Sequence, residues 1–405
     1  MIGRSAEKEV GDALSDTPVV LVHGPRQSGK STLSQSFSDR RYVTLDDPIP
    51  LERAKNDPKA FLDTYGWPLT IDEIQRAPEL FLPIKAAVDR ERKPGKYLLT
   101  GSANILALPK IADSLAGRMA IVDLLPFSQA EVEGTPSNFV TQAFSGELPR
   151  MGSFENSDIY ERISRGGFPE PSLRSDPSRR DAWFASYIRT LLERDVRDLA
   201  NIEALAQLPR VLRLLASRTG QTMNVVSLSR DTGIPNTSLH RYLDLLKAVF
   251  LLHHVPAWSS SRETRLTKTP KSYLVDTGLL CYLDNLSAES LKEDAFRFKP
   301  VLENFVALEL RKLCYASTLR PDLYHLRTVR QLEVDFVLEG RGGSIFGVDL
   351  KASATLNPSD AEGLRFLKEL AGPEFKGGVV LYLGKDIEPL DPDIVAMPVS
   401  ALWMN

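Results

Sequence analysis

Short runs of aliphatic and β-branched residues recur through the first hundred positions, each closed by glycine, a hydroxyl residue or acids. Thr17-Pro18-Val19-Val20-Leu21-Val22 predicts a buried strand, as do Pro68-Leu69-Thr70-Ile71 and Lys96-Tyr97-Leu98-Leu99-Thr100. Amphipathic stretches follow them, so an α/β fold with an open parallel sheet is expected there. Beyond residue 178 the period becomes helical. Trp183, Tyr187, Leu191 and Leu192 mark a long helix over 179–200. Helices over 208–217, 227–232 and 236–248 follow, the last two separated by Gly233-Ile234-Pro235, with Asn236 or Thr237 as cap. This is a helix-turn-helix pattern in which Leu239, Tyr242, Leu243, Leu245 and Leu246 face inward and Ser238, His240 and Arg241 outward. Strand-like residues 250–255 extend it toward a winged helix. An amphipathic helix over 300–310 precedes strand-like 323–326. A hairpin is expected from the alternating 332–338, the glycine-rich turn 339–343 and 345–352.

Composition narrows the class. The 405 residues, with 42% hydrophobic and 25% charged side chains, describe a globular chain and not a disordered or collagen-like one. At about 100–200 residues per domain, roughly two to four domains are expected. Cys281 and Cys314 are the only cysteines and lack partners at zinc-ligand spacing, which argues against a disulfide framework or a zinc site. The charged N-terminus has no signal-peptide core, and no stretch reaches the roughly 20 apolar residues that span a bilayer. A cytoplasmic protein with no membrane partner is expected. The 50 basic and 53 acidic residues leave a net charge of -3, so any nucleic-acid contact would need a local basic patch. Residues 256–276, with Arg262, Arg265, Lys268 and Lys271, offer one: either a phosphate-binding surface or a solvated basic loop.

The first predicted strand runs into Gly24-Pro25-Arg26-Gln27-Ser28-Gly29-Lys30-Ser31-Thr32, a phosphate-binding loop between strand and helix. Its glycines let backbone N–H groups face phosphate oxygens, Lys30 reaches the β/γ-phosphates, and Ser31 holds Mg²⁺. Asp72 and Glu73 close the second strand. Asp72 suits the metal and Glu73 suits orienting the attacking water. Thr100 or Ser102, ending the third strand, is placed to sense the γ-phosphate, and Arg118 is either an arginine finger or a surface residue. ATP and Mg²⁺ are the expected cofactors.

Together with L-D-D-P (45–48), I-D-E-I-Q-R-A-P (71–78), L-T-G-S-A (99–103), L-A-G-R (115–118) and L-P-F-S (125–128), this loop resembles the AAA-type ATPases called AAA_14. In that bacterial and archaeal family the ATPase domain is commonly fused to a C-terminal DUF4143 domain. The resemblance implies Walker A residues at Gly24, Gly29, Lys30 and Ser31, Walker B acids at Asp72 and Glu73, a sensor at Thr100 or Ser102, and a finger at Arg118. A finger acting in trans implies an ATP-dependent homo-oligomer.

At the other end, the two-residue period puts Asp349 and Lys351 on one face, with Asp335 across the hairpin. Glu303, Asp335 and the D-x-K of Asp349 and Lys351 resemble the PD-(D/E)xK nuclease fold, to which DUF4143 is thought to be related. The resemblance implies Mg²⁺ at Asp335 and Asp349, Glu303 in its inner or outer shell, and Lys351 activating water. Strand-borne Asp/Lys pairs also form plain cross-strand ion pairs. The expected organisation is a P-loop AAA-type ATPase core over 1–150, a helical lid over 151–205, a winged-helix segment over 206–285, and a restriction-endonuclease-like α/β domain over 286–405. Two functions follow: ATP-controlled DNA processing by a metal-dependent nuclease, or an ATP-regulated switch that binds DNA or protein through an inert nuclease-like domain.

Overall fold

A computed structural model of the chain describes residues 2–102, 115–154, 158–196, 207–328 and 332–404. Ala103, Asn104, Ser114 and the 197–200 end of the expected long helix lie outside the described residues.

The N-terminal half contains helix α1 (Ala6–Asp16), strand β1 (Val19–His23), helix α2 (Lys30–Ser36), then β2 (Arg41–Thr44), β3 (Leu69–Asp72), β4 (Tyr97–Gly101) and β5 (Met119–Asp123). The five strands are parallel and ordered β2-β3-β4-β1-β5. The side-chain period of two divides β1 between two cores. Val20 and Val22 pack with Val10, Leu33 and Val122, while Val19 and Leu21 meet Phe61, Phe81 and Val88 on the other face. Each fully buried side chain of this size contributes about 1.5–3 kcal/mol. The loop after β1 is thereby fixed at the carboxyl edge of a sheet covered on both faces.

Residues 135–153 do not end this unit cleanly. The helix Phe139–Ser145 sets Phe139 edge-on to Phe346, with ring centroids 6.4 Å apart. The Ser137 hydroxyl donates to the Leu402 carbonyl at 2.7 Å. Strand β6 (Gly152–Ser153) then adds to the edge of the C-terminal sheet. The packing therefore crosses the boundary expected at 150.

The middle of the chain is helical. Pro177–Thr190 ends in a wider turn at Leu191–Val196, and Tyr187, Leu191 and Leu192 are buried as the periodicity predicts. Helices α3 (Leu208–Ser217), α4 (Val225–Thr232) and α5 (Asn236–Ala248) lead into an antiparallel pair, β7 (Leu252–Val255) and β8 (Lys271–Leu274). All five expected inward residues of α5 are buried, and His240 and Arg241 are exposed. The caps differ from expectation. Asn224 caps α4, whereas Asn236 is already inside α5, which begins after Pro235 with no side-chain cap.

Helix α6 (Ala295–Ala316) has 22 residues and is about 33 Å long. It lies against the last sheet, formed by β9 (Asp322–Arg327), β10 (Glu333–Glu339), β11 (Ile345–Lys351), β12 (Phe375–Tyr382), β13 (Asp386–Asp391) and β14 (Ile394–Pro398), in the order β6-β13-β14-β12-β11-β10-β9. The hairpin β10–β11 is antiparallel, as expected. The expected strict alternation of β10 fails at one place. Pairing with β9 jumps from Val334↔Leu326 to Val337↔Tyr324, so Asp335 and Phe336 together face His325. Such a bulge re-aims a side chain, and here it falls on a predicted site residue. One apolar core runs from Leu208 through Tyr273 and Phe305 to Trp403, so the segments expected as 206–285 and 286–405 share a single interior.

Candidate functional site

Two clusters of acids emerge, one at a strand end of the first sheet and one between α6 and the β10–β11 hairpin. At the first, Gly29 takes φ of 96°, and α2 starts at Lys30. Gly24 is needed for close approach: a Cβ there would meet the Leu124 carbonyl oxygen at 2.1 Å. Lys30 is buried and its ammonium donates to the carbonyls of Gly24 (3.1 Å) and Pro25 (2.8 Å). Ser28 is fully buried, and its hydroxyl has no hydrogen-bond partner. Arg26 is half-buried, while Gln27 (φ 63°) and Thr32 are exposed at the mouth of the loop. Arg4 donates to the Ser28 carbonyl at 2.7 Å and the Leu125 carbonyl at 2.6 Å, tying the N-terminus to the loop.

Asp72 sits in a ring of hydroxyls. Ser31 reaches both its oxygens at 3.0 Å, Tyr42 donates at 2.9 Å, Thr100 at 2.5 Å and Thr44 at 3.4 Å. Burial, then the Asp72 charge, push the Tyr42 phenol up to about 12, so it remains a donor. Glu73 takes φ of 60°, a strained conformation for a non-glycine residue, and its N–H is bound by the Thr100 hydroxyl at 3.0 Å. Its carboxylate accepts from Ser102 at 3.1 Å and from Gln75. Ser31, Asp72, Glu73, Thr100 and Ser102 are thus brought together. Hard oxygen donors at Ser31 and Asp72 fit Mg²⁺, and the orphaned Ser28 hydroxyl fits a loop built to receive an anion.

Arg118 is not brought there. It precedes β5, at the opposite edge of the sheet from the loop, and pairs with Asp89. Any action on a phosphate would be on a neighbouring copy. Tyr42, Thr44, Gln75 and Arg4 were not singled out from sequence. The alternation Tyr42-Val43-Thr44, directly before L-D-D-P, was the available signal for the first two. The L-D-D-P acids themselves are structural: Asp46 pairs with Arg76, and Asp47 caps Pro48–Asn56.

At the second cluster, Asp335 and Asp349 lie opposite each other across the hairpin, and both accept from the Leu350 N–H, at 3.0 and 3.1 Å. Burial, then Asp335, hold the Asp349 carboxyl well above its usual range. Glu303, from α6, accepts from Lys271 and Tyr273, each at 2.8 Å. Burial and the Asp335 charge push Glu303 up to about 7 against the pull of Lys271. Gly220 (φ 74°) leaves room: a Cβ there would come within 3.2 Å of the Glu303 carboxylate.

Lys271 is the surprise of this cluster. Its ammonium lies 2.8 Å from Glu303, 2.7 Å from Glu333 and 3.6 Å from Asp335, and the residue is only 2% exposed. Burial works to lower its pKa, but the carboxylates Glu303, Asp335 and Glu333 outweigh burial and raise it. The expected basic patch thereby loses two of its four cations, while Lys268 is exposed and the Arg262 side chain lies outside the described residues. Lys271 is internal, and Arg265 stacks over Trp258 and Tyr324 while pairing with Glu339. Lys351 is about a third exposed and turns to Asp360 at 3.4 Å. Among the described residues, no group of three or more acids, histidines or cysteines is arranged to hold a metal. With Glu303 bound to an ammonium and Asp335 and Asp349 sharing the Leu350 N–H, the expected Mg²⁺ set does not fit as it stands.

The clusters are physically linked. His23, the last residue of β1, meets Asp123 at 3.0 Å and stacks edge-on against Phe250 at 5.1 Å. Asp123 in turn is held low, against burial, by His23, Arg311 and Tyr315. Arg311 and Tyr315 lie on α6, about two and three turns from Glu303. On the same helix, Lys312 donates to the Phe127 carbonyl, and Glu309 accepts from Gln129 N–H, both at 2.8 Å.

Known proteins align with this layout. An AAA domain family model matches residues 16–133, and two domains of unknown function, DUF8612 and DUF4143, match residues 156–290 and 298–402. The uncharacterized protein Rv2008c of Mycobacterium tuberculosis is 30% identical over 403 residues, covering 98% of this chain and 84% of that protein. The uncharacterized protein MJ1544 of Methanocaldococcus jannaschii is 23% identical over 411 residues, covering 95% and 87%. Among solved structures, the Walker-type ATPase paby2304 of Pyrococcus abyssi is similar over 70% of this chain and 96% of its own, at 18% identity and a TM-score of 0.41. No helix among the described residues is long and apolar enough to cross a membrane.

Proposed function

Because the chain belongs to the family of its mycobacterial relatives and joins an AAA-type ATPase domain to a DUF4143 domain, we propose that it binds and hydrolyses ATP and uses the cycle to reposition a DNA-handling C-terminal module. The observation that carries this is the convergence of Ser31 and Thr100 on Asp72 at the carboxyl edge of the parallel sheet, with the Glu73 N–H held by the same Thr100 hydroxyl. The backbone of Gly24 to Thr32 cradles the phosphates. Lys30 leaves the Gly24 and Pro25 carbonyls for the β/γ-phosphates. Ser31 and Asp72 hold Mg²⁺, which when bound draws charge from the phosphate oxygens. Thr100 fixes Asp72, and Glu73, held by Ser102 and Gln75, orients the attacking water once released. Lys30→Ala removes the cation that meets the transferred phosphoryl group. Phosphate release should fall by about 10²–10³-fold; an unchanged rate would remove the ATPase reading. In the same assay, a rate per chain that rises with protein concentration and is lost in Arg118→Ala would identify Arg118 as a finger acting in trans within a homo-oligomer. A concentration-independent rate would exclude it.

Coupling runs through one helix. His23 abuts the loop, Asp123 ties it to Arg311 and Tyr315, and Glu303 sits about 12 Å back along α6 from the first and about 18 Å from the second. The segment 151–205 is assigned as a lid, and α3 to α5 with β7–β8 as a winged helix. In the preferred reading the 286–405 segment binds DNA and does not cut it, since the Lys271 ammonium already sits among its acids where a metal would have to sit. A second reading, metal-dependent cleavage in the manner of a PD-(D/E)xK nuclease, is favoured by Asp335 opposite Asp349 with Lys351 two positions on. Cutting by the wild type in Mg²⁺ or Mn²⁺ that is lost in Asp335→Ala and Lys351→Ala would establish it; no cutting of linear, circular or single-stranded DNA leaves the binding reading.

A further inference from the structure

A cleft of about 570 Å³ opens between the α3–α4 connection, β8, the first turns of α6 and the β9–β10 edge. Its charges are layered. Arg218, Lys299 and Arg327, from three different elements, line it, with Lys299 and Arg327 exposed. Glu303, Asp335 and Lys271 are buried at its floor, each less than 10% exposed, with the half-buried Glu333 beside Lys271, and the Arg218 guanidinium also pairs with Asp231. The connecting wall carries the amides and hydroxyls of Gln221, Thr222, Asn224 and Ser227.

A ligand that suits this gradient is anionic where it passes the cations and rich in N–H donors where it meets the carboxylates. A simple anion satisfies only the first condition, because the floor repels it. A divalent cation satisfies only the second. A nucleotide within a strand satisfies both: its phosphates meet the cations, and the amino or imino groups of its base point to acceptors. The volume lies within the range of about 300–1,000 Å³ that holds one small-molecule-sized group. A base paired inside a duplex has those amino and imino groups engaged by its partner, so a base that offers them to the cleft must already be free of its partner.

We propose that this cleft binds single-stranded polynucleotide, with phosphates along Arg218, Lys299 and Arg327 and one unpaired base inside. This rests on the reading of the C-terminal module as DNA-handling, and names its substrate class. It is independent of whether that module cuts. Deoxy and ribo strands share the recognised chemistry, so both are tested.

The experiment is fluorescence anisotropy of the full chain in EDTA, using labelled mixed-sequence single-stranded DNA, single-stranded RNA and blunt duplex of equal length. Wild type should bind at least one single strand about tenfold more tightly than duplex; preference between DNA and RNA then identifies the source. Lys299→Glu and Arg327→Glu, both at exposed positions, should each weaken binding about tenfold and lower the salt slope by about one. A duplex bound as well as the single strands, or reversal variants that bind like wild type with unaltered salt slope, would overturn the proposal. Retained ATP hydrolysis in both variants verifies the fold. Because EDTA prevents cleavage, absence of nuclease activity cannot mimic failure of binding, while loss of all nucleic-acid binding, duplex included, would bring down the DNA-handling reading itself.

Discussion

The two acidic centres solve the same physical problem in opposite ways. Asp72 is buried with four hydroxyl donors around it, whereas Glu303, Glu333 and Asp335 share one lysine. Hydroxyls satisfy the oxygens without cancelling the charge, so Asp72 keeps its negative field for an incoming cation and phosphate. An ammonium offsets part of it and takes the cation's place. The first centre is thereby poised to bind a cation, whereas the second already holds one of the chain's own. The difference also concerns redundancy: removing one hydroxyl leaves three, but removing Lys271 leaves no cation, only the Tyr273 hydroxyl on Glu303 and the Leu350 N–H on Asp335.

Lys271→Ala is the strongest way to break this contrast. It strands buried carboxylates without their cation, and should destabilise the chain by about 3–5 kcal/mol in urea unfolding. Adding Glu303→Gln should return part of the loss, since the neutral amide needs no counter-charge. A Lys271→Ala protein as stable as wild type would mean that the second centre is not a closed charge network.

The same contrast explains what was legible in the sequence. The first centre is built from strand ends and one loop, so Gly24 to Thr32, Asp72, Glu73 and Thr100 could be placed by period and motif alone. Tyr42 and Thr44 escaped because their function comes from strand order: β2 lies beside β3, a pairing that no local pattern records. The second centre depends far more on long-range packing. Asp335 and Asp349 were legible across their hairpin, but Lys271 arrives from a strand 32 positions before Glu303. In sequence it reads as one of four cations in a loop, and only the β7–β8 pairing and the shared core turn it inward. The bulge at Asp335 was equally hidden, because an alternating run gives no sign of an extra residue.

Protonation sharpens the contrast beside the second centre. Burial, then the Lys271 charge, push His325 down to about 4, from an ordinary value near 6.5. The unfolded chain therefore takes up a proton in this window that the folded chain refuses. The contribution of His325 to stability is intact above about pH 6.5 and is lost as pH falls toward 4, with a slope of up to about 1.4 kcal/mol per pH unit. Measured as a difference, His325→Gln should flatten the pH dependence of the unfolding free energy by that amount. Parallel curves for variant and wild type would show that His325 titrates normally and that the Lys271 charge does not reach it.

The smallest effect belongs to the hydroxyl ring. Tyr42→Phe removes the donor 2.9 Å from Asp72 and leaves Ser31, Thr44 and Thr100 in place. A hydrogen bond of this kind contributes about 1 kcal/mol net, and charged acceptors somewhat more. The rate of ATP hydrolysis should therefore change by no more than about fivefold, with folding stability lowered by about 1 kcal/mol. A loss approaching that of Lys30→Ala would mean that the hydroxyls are not interchangeable. Tyr42 would then be fixing the one orientation of Asp72 that works, and the first centre would depend on a single residue as the second depends on Lys271.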